Sequence, residues 1–208
     1  MTHIVSGISE YDKKRWKVTL DEGAVTFLLY KGEKRLLGDG AEITEETFRK
    51  IVDDVLLPRA KKRALYFLKN ADKTEYQIRR KLADGFYPGE VIEKVMEFLK
   101  HYDFADDVRY AENFIEAKAP SSSKRELEAK LYQKGLKGDT VKEMLAGISA
   151  EDEYAACEKA LRKKYTGDSR KDFAYLARKG YPFDAIEHAM NVLREEKENG
   201  REETADTI

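Results

Sequence analysis

The chain has 208 residues, of which 41% are apolar and 38% charged, enough for one large domain or two small ones and too apolar for extended disorder. Thirty-nine lysines and arginines nearly balance forty aspartates and glutamates, so the field of the whole protein does not drive it onto DNA or an anionic membrane. The sequence shows neither a signal-peptide segment nor an apolar run of membrane-spanning length, and Cys157 is its single cysteine, so we expect a cytoplasmic protein without an internal disulfide.

The first part of the chain, residues 1–57, is predicted to be a small β-rich region followed by a helix. Residues 15–20 and 24–30 are rich in β-branched and aromatic side chains and flank Asp21-Glu22-Gly23, which predicts an antiparallel hairpin. Residues 4–9 can add a further strand. From Thr44 onward the apolar spacing becomes helical until Pro58, which predicts a helix that ends there and another that begins.

Beyond Pro58 the sequence repeats itself three times. Each copy contains a helix that starts with a capping pair three residues apart and ends at a glycine, where a left-handed residue is needed. The capping pairs are Thr74 with Gln77, Ser123 with Glu126, and Ser169 with Asp172, and the glycines are Gly85, Gly135 and Gly180. Counting from each glycine, the first, sixth, tenth and thirteenth positions are apolar, which predicts one apolar face on a second helix.

The register of the first copy stays open, because Leu82 lies three residues before its glycine whereas the matching leucines lie four before theirs. A third helix precedes each cap, over residues 59–69, 107–118 and 151–165. The predicted fold is therefore mainly α: tandem three-helix repeats over residues 58–104, 105–150 and 151–195, preceded by the small antiparallel β segment. Residues 196–208 are charged and lack a period, so we expect them to fray or be disordered.

Four segments of the repeats resemble the RecX regulators of the bacterial recombinase RecA. They are residues 63–68, 74–82, 102–111 and 130–136. The most diagnostic is the aspartate pair before Arg109, Tyr110 and Ala111, and the resemblance covers about residues 58–193.

The resemblance implies a fold and a partner that spacing alone does not. It implies an elongated, curved rod of three helical repeats that binds RecA, or its filament on single-stranded DNA, and mostly inhibits recombinase and ATPase activity. The resemblance also implies a role in DNA repair, recombination and the SOS response. Whether inhibition comes from capping filament ends or from lying in the groove stays open, and we expect a monomer.

No catalytic, cofactor-binding or metal-binding motif is present in the sequence. The three histidines lie far apart and none has a second ligand at metal spacing,. Asp106 and Asp107 precede a predicted helix, where a carboxylate favours the helix N-terminus, so we interpret them as helix-capping residues rather than as a catalytic pair. We therefore expect a protein that is not an enzyme and needs no cofactor.

Basic charge concentrates in the first repeat. Residues 58–104 hold eleven basic and seven acidic residues, while residues 151–208 hold eleven and fourteen. A basic stripe that contacts phosphates or an acidic protein surface is one interpretation, and a solvated helix face is the other. The candidate contact residues are Lys61, Lys62, Arg63, Arg79, Arg80, Lys81, Lys124, Arg125 and Lys130.

Two further interpretations stay open. Three-helix units can place a helix in a DNA major groove, so a direct DNA-binding protein without RecA dependence is the alternative function. Ten tyrosines fall within the repeats; most are expected to close thin cores, although an exposed row of rings can stack on the bases of a single strand.

Overall fold

The computed structural model describes residues 2–38 and 40–205, with side chains described up to residue 199. The chain forms two compact units, Met1–Asp106 and Asp107–Ile208. Among the described helices, none combines the length and the apolar character required to cross a bilayer.

The first unit opens with a four-stranded antiparallel sheet, as the sequence predicts for this region. Its strands are β1 (Thr2–Glu10), β2 (Arg15–Leu20), β3 (Val25–Tyr30) and β4 (Glu42–Thr44), in the order β3-β2-β1-β4. The predicted hairpin is β2 with β3, where Val18 faces Phe27. Strand β4 was not predicted, because three residues next to a helix cap are too few to show an alternating pattern.

The helix after the sheet does not end at Pro58, contrary to the sequence prediction. Helix α1 (Glu45–Lys50) continues through a π-helical segment (Ile51–Leu56) into helix α2 (Leu57–Asn70). The N–H of Leu57 donates to the carbonyl of Val52, five residues back. Proline lacks an N–H and its ring crowds the preceding turn; the wider π turn next to Pro58 lets the helical backbone pass through.

The remaining helices follow the predicted repeat pattern. Repeat 1 consists of α2, α3 (Glu75–Ala83) and α4 (Gly89–His101), and repeat 2 of α5 (Asp107–Lys118), α6 (Lys124–Gln133) and α7 (Asp139–Ala146). Repeat 3 consists of α8 (Ala150–Lys164), α9 (Ser169–Lys179) and α10 (Phe183–Ala205). Short 3₁₀ segments are found at Asp21–Gly23, Lys31–Leu37 and Ala119–Ser121.

The turns between the last two helices of each repeat share one hydrogen bond. The N–H of Tyr87, Leu136 and Tyr181 donates to the carbonyl five residues earlier, on Leu82, Leu131 and Leu176, at 3.2, 3.0 and 3.3 Å. The residue before each donor is left-handed: Phe86, Gly135 and Gly180, with φ of 58°, 86° and 86°. The prediction that Gly85 is the left-handed residue is therefore wrong by one position.

This one-residue shift also corrects the apolar register of repeat 1. The residues that match Val141, Leu145 and Ile148 by the shared turn are Ile92, Met96 and Leu99, rather than Val91, Val95 and Phe98. Val91 and Val95 are nevertheless buried, because repeat 1 and the sheet form one continuous core, whereas repeats 2 and 3 each have a separate cluster of buried residues.

The helix caps agree with the sequence in two copies out of three. Thr74 forms a full capping box with Gln77, and the Ser123 hydroxyl accepts from the N–H of Glu126. In repeat 3 the cap is Asp168 instead of Ser169, and its carboxylate accepts from the N–H groups of Arg170 and Lys171.

The predicted partner of that third cap has a different role. Asp172 is 2% exposed, and its carboxylate accepts from the N–H and hydroxyl of Thr166 and the N–H of Gly167, at 3.0, 2.8 and 3.2 Å. Asp172 therefore holds the loop that precedes helix α9.

The end of the chain differs from the expected frayed tail. Helix α10 continues to Ala205, and Glu196 forms a bidentate pair with Arg162 of helix α8, at 2.6 and 2.7 Å. Residues 206–208, which belong to the same predicted tail, lie outside the described residues.

Candidate interaction surfaces

The structure brings the two basic clusters of repeat 1 together around one aromatic ring. The guanidinium carbon of Arg63 on α2 lies 5.5 Å from the Phe67 ring centroid, and the ammonium of Lys81 on α3 lies 5.1 Å from it. Lys62 and Arg80, their neighbours in sequence, are exposed. We call Lys62, Arg63, Arg80 and Lys81 the repeat 1 basic face.

Two other predicted residues of repeat 1 are engaged with helix α4. Arg79 forms a bidentate ion pair with Glu93, with a second contact of 2.9 Å. The ammonium of Lys61 lies 4.5 Å from the Phe98 ring centroid. Arg79 is neutralised by its partner, and both side chains help to fix α4 in place.

The predicted residues of repeat 2 link that repeat to repeat 3. The ammonium of Lys124 lies 3.7 Å from the Glu153 carboxylate, and its backbone N–H donates to the same group at 3.2 Å. Arg125 packs against Gly180 so closely that a Cβ added there would lie 2.9 Å from the Arg125 Cβ. Lys124 and Arg125 therefore serve the packing of unit 2 rather than forming an open stripe.

Lys130 instead belongs to a basic groove that the sequence did not reveal. The groove has a volume of about 280 Å³ and lies between repeats 2 and 3, with Ser121, Ser122 and Tyr175 also on its walls. We call it the lysine groove, and its lysines are Lys118, Lys130, Lys159, Lys163 and Lys179. They come from helices α5, α6, α8 and α9, so no local sequence pattern predicts the groove.

One carboxylate lies inside the lysine groove. Glu126 pairs with Lys130 at 2.8 Å and with Lys179 at 3.4 Å. Burial raises its pKa, but the two ammonium groups together outweigh burial and hold the pKa of the carboxyl below its ordinary value,. Glu126 is therefore ionised at neutral pH, and five lysines against one glutamate leave the groove strongly positive.

The tyrosines divide between packing and exposed positions. Tyr87 and Tyr181 are 8% and 5% exposed and belong to the cores, while Tyr66 and Tyr132 are each 65% exposed. Tyr102 stacks on Phe104 with ring centroids 6.0 Å apart. Exposed tyrosine rings are thus present in both units.

The described part of the chain contains neither a reactive cysteine nor a group of side chains suited to hold a metal ion. Cys157 is fully buried, and burial raises the pKa of its thiol to about 12, with Glu153 and Glu158 adding to the effect. At neutral pH it is a thiol and not a nucleophilic thiolate. Within residues 2–38 and 40–199, no three side chains of histidine, cysteine, aspartate or glutamate lie together in a group that can hold a metal ion.

Comparison with known proteins identifies the family. Residues 60–99 match the family model described as RecX, first three-helix domain. The chain is 33% identical to the regulatory protein RecX of Clostridium acetobutylicum over 76% of this chain and 79% of that protein. It is 30% identical to the regulatory protein RecX of Clostridium perfringens over 89% of this chain and 93% of that protein.

A crystal structure of a regulatory protein RecX matches the fold. It aligns with a TM-score of 0.60 over 91% of this chain and 99% of that chain, at 20% identity. The helical repeats, the sequence identity and the shared fold agree: this chain belongs to the RecX family of regulatory proteins.

Proposed function

We propose that this chain binds RecA, or the RecA filament on single-stranded DNA, and mostly inhibits its recombinase and ATPase activity in DNA repair and recombination. The observation that carries the proposal is membership of the RecX family, with identity above 30% over three quarters of the chain. The protein acts by binding, as a cytoplasmic monomer without a cofactor, and its repeats supply the contact surfaces.

Charge supports two contact regions, one in each unit. The repeat 1 basic face and the lysine groove offer lysines and arginines that retain positive charge although the chain is formally neutral to within one unit. Such surfaces speed association with an acidic protein surface or with phosphates, and their effect weakens as salt screens them. Rim charges of this kind add more to the association rate than to affinity.

The direct test is ATP hydrolysis by RecA of the same organism on single-stranded DNA, titrated with this protein. We expect the rate of ATP hydrolysis to fall already at ratios well below one copy of this protein per RecA. Inhibition at such low ratios would also favour blocking of growing filament ends. Lys62→Glu with Arg80→Glu, and Lys159→Glu with Lys163→Glu, should each shift the inhibition curve to higher protein concentration. Lys137→Glu with Lys142→Glu, an equal charge change at exposed residues outside both regions, serves as the control. No inhibition up to equimolar amounts would refute the proposal.

Direct DNA binding is the second candidate, and the lysine groove is the observation that favours it. Several ammonium groups on phosphates release counterions, so the logarithm of the binding constant should fall linearly as the logarithm of salt concentration rises. Binding to naked single- and double-stranded DNA between about 50 and 200 mM salt separates the candidates. Tight, steeply salt-dependent binding that Lys159→Glu with Lys163→Glu abolishes would support a DNA-binding protein; negligible binding would exclude it.

A further inference from the structure

We propose that unit 1 contains a phosphate-binding pocket built from Arg15, Arg59 and Arg63. The cavity has a volume of about 210 Å³ and lies where the ends of β2 and β3 meet helix α2 and the turn after α3. Tyr30, Phe86 and Tyr87 are also on its walls. Its arginines come from one strand and one helix, and only Arg63 belongs to the sequence-predicted set. The inference does not depend on RecA binding.

The three guanidinium groups are not fully neutralised. Arg15 donates two hydrogen bonds to the Asp12 carboxylate, at 2.6 and 2.8 Å. Arg59 pairs with Glu33 at 2.5 Å and donates to the carbonyl of Leu28 at 3.1 Å.

Arg63 is the arginine whose charge is left over. Within the part of the chain that the structure describes, it has no carboxylate partner, and it shares the cavity wall with Tyr87. Burial raises the pKa of the Tyr87 phenol, and the charges of Arg59 and Arg63 partly oppose that increase. Three positive charges thus meet two negative ones, and the remaining charge belongs to the pocket. Arg63 is itself exposed, so an anion that enters from solvent can reach its guanidinium group, whose donors match the oxygens of carboxylates and phosphates.

The pocket is held in shape before any ligand arrives. The Arg59 guanidinium carbon lies 4.6 Å from the Tyr30 ring centroid, and the Arg15 guanidinium carbon lies 5.0 Å from that of Tyr11. The side chains of Arg15 and Arg59 are 29% and 23% exposed. Cations that are stacked and paired in this way lose little further freedom when an anion binds.

Phe86 adds an independent observation. It occupies the left-handed position that Gly135 and Gly180 fill in the other repeats, with φ of 58°, although a bulky residue is disfavoured there. The centroid of its ring lies 5.5 Å from the Tyr11 ring centroid and 4.7 Å from the ammonium nitrogen of Lys17. Backbone strain of this kind persists where the side chain is needed, and here the side chain closes a wall of the pocket.

The arrangement favours a phosphate over a carboxylate. A planar carboxylate can be satisfied by a single arginine, as the pairs of Asp12 with Arg15 and of Glu33 with Arg59 illustrate,. Three guanidinium groups approaching from two elements, together with the phenol groups of Tyr30 and Tyr87, suit an anion with more acceptor oxygens and a tetrahedral shape. Two sources carry that chemistry: a phosphodiester of a nucleic acid strand, and the phosphate of a free nucleotide.

The test is calorimetric titration of the full chain at low salt with pyrophosphate, thymidine 5′-phosphate and a short oligothymidylate, with thymidine as the uncharged comparison. Arg63→Gln removes the uncompensated charge without breaking an ion pair, so it should fold normally and weaken phosphate binding about tenfold or more. Lys69→Gln, an exposed cation on the same helix outside the pocket, should bind like the parent.

The probes also distinguish the source. Binding of the oligothymidylate alone that Arg63→Gln weakens supports a strand phosphodiester, and binding of thymidine 5′-phosphate or pyrophosphate that Arg63→Gln weakens supports a free phosphate. The inference is overturned if no phosphate probe binds at millimolar concentration. It is equally overturned if Arg63→Gln and the parent bind alike, because the ligand would then lie elsewhere.

Discussion

In repeat 1 the left-handed residue of the shared turn is Phe86, whereas in repeat 3 it is Gly180. Both turns keep the same hydrogen bond to a fully buried leucine, Leu82 or Leu176. What differs is the neighbour: Arg125 packs directly on Gly180, while the Phe86 ring lies at the wall of a cavity. The leucine and the backbone hydrogen bond are thus common to both repeats, whereas the type of the left-handed residue depends on its surroundings.

The largest expected effect concerns the leucine that both turns share. Leu82→Ala and Leu176→Ala should each lower the free energy of unfolding by about 3 kcal/mol, because each removes a fully buried side chain and leaves a cavity. Urea unfolding followed by circular dichroism measures both. If Leu82→Ala were nearly neutral, the turn of repeat 1 would not be equivalent to that of repeat 3.

The next effect tests why repeat 3 needs glycine. Gly180→Ala should cost about 2 kcal/mol, since a left-handed alanine is strained and its Cβ would meet the Arg125 side chain,. Gly167→Ala is the matched control: its φ is 80°, and the nearest atom to the added Cβ is a ring carbon of Tyr165 at 4.0 Å. Thermal unfolding should show a clearly smaller loss for Gly167→Ala. Equal losses would mean that strain alone, and not the contact with Arg125, requires the glycine.

The reverse substitution in repeat 1 should have a smaller effect. Phe86→Gly relieves the left-handed strain, which is worth about 1 to 2 kcal/mol, but it loses the contacts of a half-buried ring with Tyr11 and Lys17. The two contributions oppose each other, so the free energy of unfolding should change by less than about 1.5 kcal/mol. A loss of about 3 kcal/mol or more would show that the ring is a core element and not the wall of a pocket.

The sequence predicted the repeats well because helix periods and caps are local. Thr74 and Ser123 were identified from spacing alone, and α5 matches the predicted residues 107–118. The misplaced left-handed residue, Gly85, shows the limit: a glycine was available one position early, and only the hydrogen bond from Tyr87 to Leu82 determines which residue turns.

Contact surfaces were harder to predict because they depend on partners distant in sequence. Arg79 and Lys124 looked free in the sequence but pair with Glu93 and Glu153. The lysine groove and the arginine pocket each assemble from elements that are far apart in the chain. Charge counts over a segment therefore indicated that repeat 1 is basic, but not which of its cations remain available.

The smallest expected effect is a pH dependence of the free energy of unfolding that arises from His3 in the sheet of unit 1. His3 lies between Asp21 at 2.6 Å and Glu45 at 2.9 Å. The hydrogen bond to Asp21 raises the pKa of the imidazole, burial lowers it, and the hydrogen bond to Glu45 raises it again, with a net increase above 6.5. Because the folded-state pKa is raised, the stabilisation is complete below about pH 6.5 and is lost as pH rises through the folded-state value.

The free energy of unfolding should therefore fall from pH 6 toward pH 8 by more in the parent chain than in His3→Gln, when both are measured by urea unfolding at several pH values. Identical pH profiles would show that the charged imidazole does not stabilise the contact of β1 with the 3₁₀ segment Asp21–Gly23 and helix α1.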